Sequence, residues 1–179
     1  MKTSYVALLR GINVAGANKI GMADLRQLFT GLGHQQARTY LQSGNVVFGS
    51  GEDPAILAAG IETAIAAELG LTVTVLLRSG GELADVLACN PYLGREDNPA
   101  RLPVTFLARL PEPGRDAGLL IPPGETAVLS RVGQEVYLHC PDGYGRTKLS
   151  NAYIERKLGV AATTRNWKSV TALHALVAG

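Results

Sequence analysis

A polar loop near the start of the chain carries residue types that bind anions. Arg10-Gly11-Ile12-Asn13-Val14 follows an apolar run, and Lys19 comes shortly after it. Glycine adopts backbone angles that are closed to other residues, and glycine-rich loops before a helix direct N–H groups at an anion. We therefore take Arg10, Asn13 and Lys19 as candidate ligands of a phosphate group. A structural turn in which Asn13 bonds its own backbone is the other open interpretation.

Two established nucleotide-binding patterns are missing from this loop. A nucleoside-triphosphate loop requires Lys-Ser/Thr directly after its second glycine, whereas Gly16 is followed by Ala17-Asn18-Lys19-Ile20. The glycine spacing of the dinucleotide-binding fold is also absent. The loop is therefore not a P-loop for nucleoside triphosphates, and a less specific anion-binding site is the hypothesis that stays open.

Two further basic segments precede predicted helices in the second half of the chain. Residues 143–148 form a basic loop that ends at Lys148, and helix N-termini favour anions. A turn with solvated cations is the alternative there. Further on, Arg165 has the planar fork that suits phosphate, and Trp167 is able to stack on a base. The favoured alternative is Asn166 as a helix cap and Trp167 as a core residue.

Basic side chains are concentrated at both ends of the chain. Residues 1–50 carry five basic side chains against Asp24, a balance of +4. Residues 51–100 carry two basic against eight acidic side chains, a balance of −6, and residues 143–168 carry six basic against Glu155, a balance of +5. Such a separation is typical of an anion-binding surface, although a solvated mixture of charges with no partner is equally compatible with it.

The sequence predicts no catalytic set and no metal site. His34, His139 and His174 are far apart along the chain, and His139 and its neighbour Cys140 face opposite sides of a predicted strand. Ser43 has no evident histidine partner, which nucleophilic catalysis requires. We therefore predict no catalytic residue, no metal and no cofactor.

The composition is that of a globular protein without a membrane span. The chain has 179 residues and is 46% hydrophobic, which is enough to bury a core. No apolar run approaches the roughly 20 residues that span a bilayer. Arg10 interrupts the first apolar run and no cleavage site follows, so we predict no signal peptide. Cys89 and Cys140 lack paired spacing, so we expect reduced thiols and a cytoplasmic location.

The first half of the chain has the element order βαββαβ, which is that of a ferredoxin-like domain. The predicted elements are a strand over 5–9, a helix over 22–32, strands over 38–42 and 45–48, a helix over 54–69 and a strand over 72–77. Apolar residues at helical spacing, with Asp53 and Gly70 as caps, support the second helix. Ser79 and Glu82 have capping-box spacing, which predicts a third helix over 79–89.

The second half has the order βαββα with one more helix after it. Its predicted elements are a strand over 104–108, a short helix over 115–120, a hairpin of 126–132 with 135–140, and helices that begin at Ser150 and Asn166. The similar order of the two halves favours a degraded duplication, although no residue-level repeat is visible. We therefore predict an α+β protein with a ferredoxin-like lobe at 1–90, a linker at 91–103, and a second α+β lobe at 104–179 packed against the first.

The ferredoxin-like topology also predicts where the polar loop lies. In that topology the first and third strands are adjacent and antiparallel, so the end of one lies beside the start of the other. Arg10–Asn13 should therefore meet Gln42, Ser43 and Asn45 at one edge of the sheet. The predicted ligand-binding residues are Arg10, Asn13, Lys19, Ser43, Asn45, Lys148, Arg165 and Asn166.

Four segments of the chain are distinctive in combination. They are Leu8–Val14 with Lys19-Ile20, Gln42–Phe48, Lys148–Asn151 and Thr164–Trp167. Together they resemble a bacterial family known as domain of unknown function 1697. The resemblance implies an α+β fold and no established activity. The family often has Gly-Gly-Lys-Asn after the valine, whereas this chain has Ala15-Gly16-Ala17-Asn18 and so lacks one glycine and one cation.

Three functional hypotheses remain open. The leading one is a binding domain for a phosphate-bearing ligand, either a nucleotide or a nucleic acid. The alternatives are an enzyme acting on a small anionic metabolite and a protein-interaction module. RNA-recognition modules share the βαββαβ order and stack bases on exposed aromatic side chains of the sheet. The strands here are apolar throughout, which indicates two covered faces and disfavours that mode.

Overall fold

The first half of the chain folds into four strands and three helices. The computed structural model describes residues 1–179, with the exception of the side chain of Gln35. The elements are β1 (Thr3–Leu9), α1 (Met22–Gly31), β2 (Gln35–Tyr40), β3 (Asn45–Ser50), α2 (Pro54–Leu69), β4 (Val75–Ser79) and α3 (Gly80–Ala88). The four strands form one antiparallel sheet in the order β2-β3-β1-β4, which confirms the ferredoxin-like prediction.

Apolar residues at alternating positions of β1 form the centre of the first core. Tyr5, Ala7 and Leu9 lie on one face because successive side chains of a strand point to opposite sides. The helices cover this face with Leu25, Leu28 and Phe29 from α1 and with Leu57, Ile61 and Ile65 from α2. Burial of each large apolar side chain contributes about 1.5–3 kcal/mol. This core holds the end of β1, and therefore the loop after it, in a fixed position.

Side-chain caps begin the helices where the sequence predicts them. The Asp53 carboxylate accepts a hydrogen bond of 2.9 Å from the Ala55 N–H at the start of α2. At α3, Glu82 accepts from the Ser79 N–H at 2.7 Å, and the Ser79 hydroxyl accepts from the Glu82 N–H at 3.2 Å. Replacement of such a capping side chain by alanine typically costs about 1 kcal/mol.

The second half repeats the strand arrangement of the first. Its elements are β5 (Val104–Leu107), β6 (Val128–Val132), β7 (Glu135–His139), α4 (Asn151–Leu158), β8 (Ala162–Arg165) and α5 (Trp167–Ala178). Short 3-10 helices lie at Pro99–Arg101, Arg115–Gly118 and Tyr144–Arg146. The sheet order is β6-β7-β5-β8, which is the counterpart of the first sheet and is what an internal duplication predicts.

Two features of the second half differ from the sequence-based expectation. The strand β8 was missing from the predicted βαββα order, and it pairs antiparallel with β5. A strand of four residues is too short for a period-2 pattern to identify, and its stability comes from its neighbours. The helix expected over 115–120 is only a 3-10 turn at Arg115–Gly118, because Gly118 within the segment and Pro122-Pro123 after it disfavour a longer helix.

The chain divides into two compact units. The first unit comprises Met1–Ala84 and Leu173–Gly179, and the second unit comprises Asp85–Ala172. The segment 91–103, expected as a linker, belongs to the second unit and includes one of its 3-10 helices. Among the described residues, no helix has the length and apolar character needed to cross a membrane.

Candidate functional site

The loop after β1 folds back on itself as a tight hairpin. The Ala17 N–H donates to the Val14 carbonyl at 2.9 Å, and the Asn13 N–H donates to the Asn18 carbonyl at 3.2 Å. Asn13, Ala15 and Asn18 have left-handed φ values of 54°, 49° and 48°. Asparagine adopts this region more readily than most residues, whereas alanine there costs about 1–2 kcal/mol. Backbone strain of this kind clusters at functional sites.

The hairpin contacts the turn between β2 and β3, as the topology predicts. The Leu9 N–H donates to the Gly44 carbonyl at 2.9 Å. The Asn13 Nδ2 donates to the Gln42 carbonyl at 2.8 Å. The predicted convergence of the two polar segments at one end of the β1–β3 pair is therefore confirmed.

The side chain of Asn13 holds the hairpin against the start of α1 and against the turn between β2 and β3. Its Oδ1 accepts from the Ile20 N–H at 2.9 Å, and its Nδ2 donates to the carbonyls of Ile20 at 3.0 Å and Gln42 at 2.8 Å. Both N–H groups of the amide are thus in use. Asn13 joins the loop, the start of α1 and the turn, so it shapes the site and has no free donor for a ligand. The Asn13 side chain therefore bonds the backbone of Ile20 and Gln42. The alternative interpretation, in which it bonds its own backbone, is wrong.

The side chain of Asn45 is also committed to structure. It is fully buried, and its Nδ2 donates to the Tyr40 carbonyl at 2.6 Å and to the Ser43 hydroxyl at 3.0 Å. These bonds hold the turn that presents Gln42. Arg10 is half-buried, and its backbone N–H donates to the Thr74 carbonyl at 2.9 Å.

A cleft of about 380 Å³ lies between the hairpin, the start of α1 and the turn. It is lined by Asn13, Gly16, Lys19, Ile20, Gly21, Met22 and Gln42. The side chains of Lys19 and Gln42 are exposed, and neither has a hydrogen-bond partner among the described residues. Pockets for small ligands typically measure about 300–1,000 Å³. The cleft is therefore large enough for a small ligand and offers it one cation and one amide.

The N-terminus of α1 contributes to this cleft through Gly21 and Met22. Gly21 occupies the N-cap position with extended backbone angles and supplies no side-chain hydrogen bond. The first N–H groups of a helix have no partner within the helix and carry a partial positive charge. Asp24 in the first turn offsets part of this charge. These two residues were not among the predicted ligand residues, and the signal that could have identified them is a Gly before an apolar helix pattern without a Ser, Thr, Asp or Asn cap.

The remaining predicted residues belong to the second unit. The Lys148 Nζ donates to the Pro123 carbonyl at 3.3 Å. Arg165 is buried and donates to the Thr163 hydroxyl at 2.7 Å and the Thr164 carbonyl at 3.0 Å. Burial lowers the pKa of Arg165 to about 10, so the guanidinium stays charged at neutral pH. Asn166 accepts from the Ser169 N–H at 2.9 Å and caps α5, as predicted, whereas Trp167, expected in the core, is only half-buried.

Asn151 anchors β8 to the rest of its unit. Its Nδ2 donates to the Ala162 carbonyl at 2.9 Å, and its Oδ1 accepts from the Thr164 hydroxyl at 2.9 Å. The Asn151 N–H in turn donates to the Tyr144 hydroxyl at 2.9 Å. Asn151 and Thr164, one from each of two distinctive segments, thus join the start of α4 to β8, a contact that the sequence did not predict. Among the described residues, no group of three His, Cys, Asp or Glu side chains is placed to hold a metal ion.

The fold and the cleft define an α+β protein built on two four-stranded antiparallel sheets, with an open polar cleft in its first unit. The chain belongs to the family described as Protein of unknown function (DUF1697), whose model matches residues 1–137. That match contains the opening loop and the turn, and it ends before Lys148–Asn151 and Thr164–Trp167. No curated protein matches the sequence.

A solved structure of the same size has the same fold. The conserved bacterial protein SP0830 from Streptococcus pneumoniae is 26% identical to this chain, with a TM-score of 0.75. The similarity covers 99% of both chains, so it includes both units. It supports the fold of the whole chain and carries no information on a ligand.

Proposed function

We propose that this protein binds a phosphate-bearing ligand, a nucleotide or a nucleic acid, in the cleft of its first unit. The observation that carries the proposal is the presence of Lys19, with no polar partner among the described residues, in the same cleft as the N-terminus of α1. A lysine ammonium and uncapped helix N–H groups are complementary to a phosphate dianion. The first unit as a whole carries six basic and six acidic side chains, so the attraction for phosphate comes from these local groups and not from the net charge of the unit.

The cleft favours a binding role over catalysis. Lys19 is the one ionisable side chain among the described residues that line it. General acid–base catalysis uses a carboxylate, histidine or similar group within hydrogen-bond reach of the substrate, and nucleophilic catalysis requires an activated nucleophile. Among the described lining residues, Lys19 alone suits either role, and no second ionisable side chain there would activate it, so the cleft gives the enzyme hypothesis less support.

A binding titration at two salt concentrations tests the proposal. The full-length protein is titrated with adenosine monophosphate and with a single-stranded oligonucleotide at about 50 mM and about 200 mM salt. Phosphate contacts release counterions, so the oligonucleotide should bind more weakly at the higher salt. Absence of binding to both probes at the lower salt would refute the proposal.

A charge-neutral variant locates the site. Lys19→Gln removes the cation and keeps a polar side chain. A hydrogen bond to a charged group contributes about 1.5–3 kcal/mol, so its loss should weaken binding at least about tenfold. Lys168→Gln is the matched control, because Lys168 is exposed and lies in the second unit. Equal losses in both variants would mean that binding follows net charge and not this cleft.

Protein interaction is the second candidate, favoured by two exposed apolar side chains. Val14 is 60% exposed and Leu41 is 53% exposed, and they are the sequence neighbours of the cleft residues Asn13 and Gln42. Leu41 also has a left-handed φ of 57°, which is unusual for leucine. Sedimentation of the protein at low salt distinguishes self-association from a strictly monomeric chain, and the Val14→Ser variant should abolish any association that uses this surface.

A further inference from the structure

A second cavity, separate in sequence from the cleft of the first unit, lies within the second unit. Its volume is about 210 Å³, and it is lined by residues 124–127 and by parts of 140–148. A water molecule occupies roughly 30 Å³ in the liquid, so the cavity has room for about seven non-hydrogen atoms. Asp142, Arg146 and Lys148 are exposed, so the cavity opens to solvent, and its volume suits a small molecule.

Two hydrogen-bonded contacts hold the two lining segments together. The Glu125 carboxylate accepts from the Ala127 N–H at 2.9 Å and from the Lys148 N–H at 2.6 Å. These hydrogen bonds lower the pKa of Glu125, so its carboxylate stays ionised. Both carboxylate oxygens already accept hydrogen bonds from backbone N–H groups. The Thr126 hydroxyl donates to the Asp142 Oδ2 at 2.6 Å. The cavity wall is thus fixed by Glu125 and Thr126 before any ligand enters.

Two glycines give the backbone of the cavity wall conformations that other residues rarely adopt. Gly143 has φ = +88° and ψ = 152°, a combination that is essentially restricted to glycine. Gly124 on the opposite segment has φ = +77°. A Cβ at either position would meet no atom within 4 Å, so it is the backbone conformation, and not close packing, that requires glycine here. Such conformations persist where the surrounding structure imposes them, commonly at ligand sites.

Three charged side chains of the lining retain capacity for a ligand. The Arg146 guanidinium has no hydrogen-bond partner among the described residues, and only the backbone N–H of Arg146 donates, to the Gly143 carbonyl at 3.3 Å. Lys148 Nζ has one, the Pro123 carbonyl at 3.3 Å, and an ammonium group has three donors. Asp142 accepts at Oδ2 and, within the part of the chain that the structure describes, not at Oδ1. The cavity therefore presents two cations and one carboxylate oxygen to its contents.

We propose that this cavity binds a small α-amino acid, with the ligand carboxylate at Arg146 and Lys148 and the ligand ammonium at Asp142 Oδ1. A guanidinium pairs with a carboxylate through two parallel hydrogen bonds, and an ammonium requires an acceptor of the kind that Asp142 offers. A simple anion would satisfy the cations and place its own charge beside Asp142. The charge pattern therefore selects a dipolar ion over an anion of the same size. The proposal is independent of the phosphate site in the first unit.

The Cys140 thiol is a buried and unreactive part of the cavity lining. Cys140 is 1% exposed and packs in the core of the second unit. Burial, with a smaller contribution from Glu125, raises the pKa of this thiol to about 11. The protonated thiol is a poor nucleophile, so the cavity binds its ligand without attacking it.

The test is an NMR titration of the ¹⁵N-labelled full-length protein with L-alanine, propionate and inorganic phosphate. L-alanine and propionate have similar size and share the carboxylate, and only alanine carries the ammonium. We expect alanine to shift the amide signals of 124–127 and 142–148 and to bind at least about tenfold more tightly than propionate. Equal binding of propionate, preferential binding of phosphate, or no shift with alanine at millimolar concentration would each overturn the proposal.

Two charge-neutral variants assign the roles. Asp142→Asn keeps an acceptor for the Thr126 hydroxyl and should remove the preference for alanine over propionate. Arg146→Gln, at an exposed position, should weaken both ligands and also covers the case in which the first variant misfolds. Asp97→Asn and Arg26→Gln are the matched controls at exposed positions outside the cavity. Unchanged alanine binding in both cavity variants would place the ligand elsewhere and refute the assignment.

Discussion

Gly44 is the position at which the turn packs most closely on the opening loop. It has φ = +86°, and a Cβ placed there would lie 2.5 Å from Ile12 Cδ1, 2.8 Å from Ile12 Cγ1 and 3.0 Å from Leu9 Cβ. Ile12 is 1% exposed, so its side chain has little room to move away. Gly44→Ala therefore imposes both a strained backbone and an overpacked contact. We expect it to destabilise the first unit and to separate the turn from the hairpin.

The magnitude follows from the two contributions. A left-handed conformation costs a residue with a Cβ about 1–2 kcal/mol, and overpacking of a core contact costs about 1–3 kcal/mol. Gly44→Ala should therefore lower the free energy of unfolding by about 2–5 kcal/mol, a large part of the roughly 5–15 kcal/mol of a typical domain. Gly33→Ala is the matched control, since Gly33 has φ = +84° and a Cβ there would meet no atom within 4 Å. It should cost about 1–2 kcal/mol from strain alone.

Hydrogen exchange of the β1 and β3 amides measures this difference directly. These strands belong to the first unit, whereas the single tryptophan, Trp167, lies in the second and would report on the wrong unit. The Leu9 N–H, which donates to Gly44, is the most informative probe. If Gly44→Ala and Gly33→Ala reduce protection equally, the contact with Ile12 is not tight and the packing argument is wrong.

A second substitution separates the clash from the strain. Ile12→Val removes Cδ1, the atom nearest to the new methyl group, and alone costs about 0.5–1.5 kcal/mol. In the Gly44→Ala background the same change should cost less or become stabilising, because it relieves the overpacking. Additive effects of the two substitutions would show that Ile12 and position 44 do not interact.

Three further predictions concern single side chains. Asn13→Ala breaks three hydrogen bonds and should cost the first unit about 2–5 kcal/mol, measured by hydrogen exchange of β1. Asn151→Ala releases β8 and should cost the second unit about 1–3 kcal/mol, measured by urea unfolding followed by Trp167 fluorescence. Glu125 has a pKa lowered from 4.5 by the Ala127 and Lys148 N–H groups, so its stabilisation is complete above pH 4.5 and is lost as the pH falls through the lower folded-state value. Glu125→Gln should therefore be less stable than wild type at pH 7, with a difference that shrinks in acid; a difference independent of pH would contradict this.

Local features of the fold were predictable from the sequence because they depend on adjacent residues. The caps at Asp53, Ser79, Ser150 and Asn166 all lie where the spacing predicts them. Strand limits were less accurate. The strand expected over 38–42 is β2 at 35–40, with an irregular register between Gln35 and Arg38 that no local pattern specifies. The short strand β8 was missed because four residues show no clear strand pattern and its partner strand β5 is distant in sequence.

The candidate site was predictable in its location and less so in its chemistry. The antiparallel pairing of β1 and β3 follows from the element order, so the meeting of loop and turn could be deduced before the structure. The direction of each side chain could not, because it depends on the positions of individual carbonyl and N–H groups. Asn13 and Asn45 turn toward the backbone, while Lys19 and Gln42 face the cleft. Gln42 was recognised as a neighbour of the loop and was not among the predicted ligand residues.

An NMR titration of the full-length protein with adenosine monophosphate tests the central claim most directly. We predict that the amide signals of residues 19–24 and the side-chain amide of Gln42 shift together, because Lys19, the N-terminus of α1 and Gln42 border one cleft. The affinity derived from these shifts should fall about tenfold in Lys19→Gln and stay unchanged in Lys168→Gln. No shift at millimolar nucleotide, or shifts confined to residues outside this cleft, would contradict the proposed function.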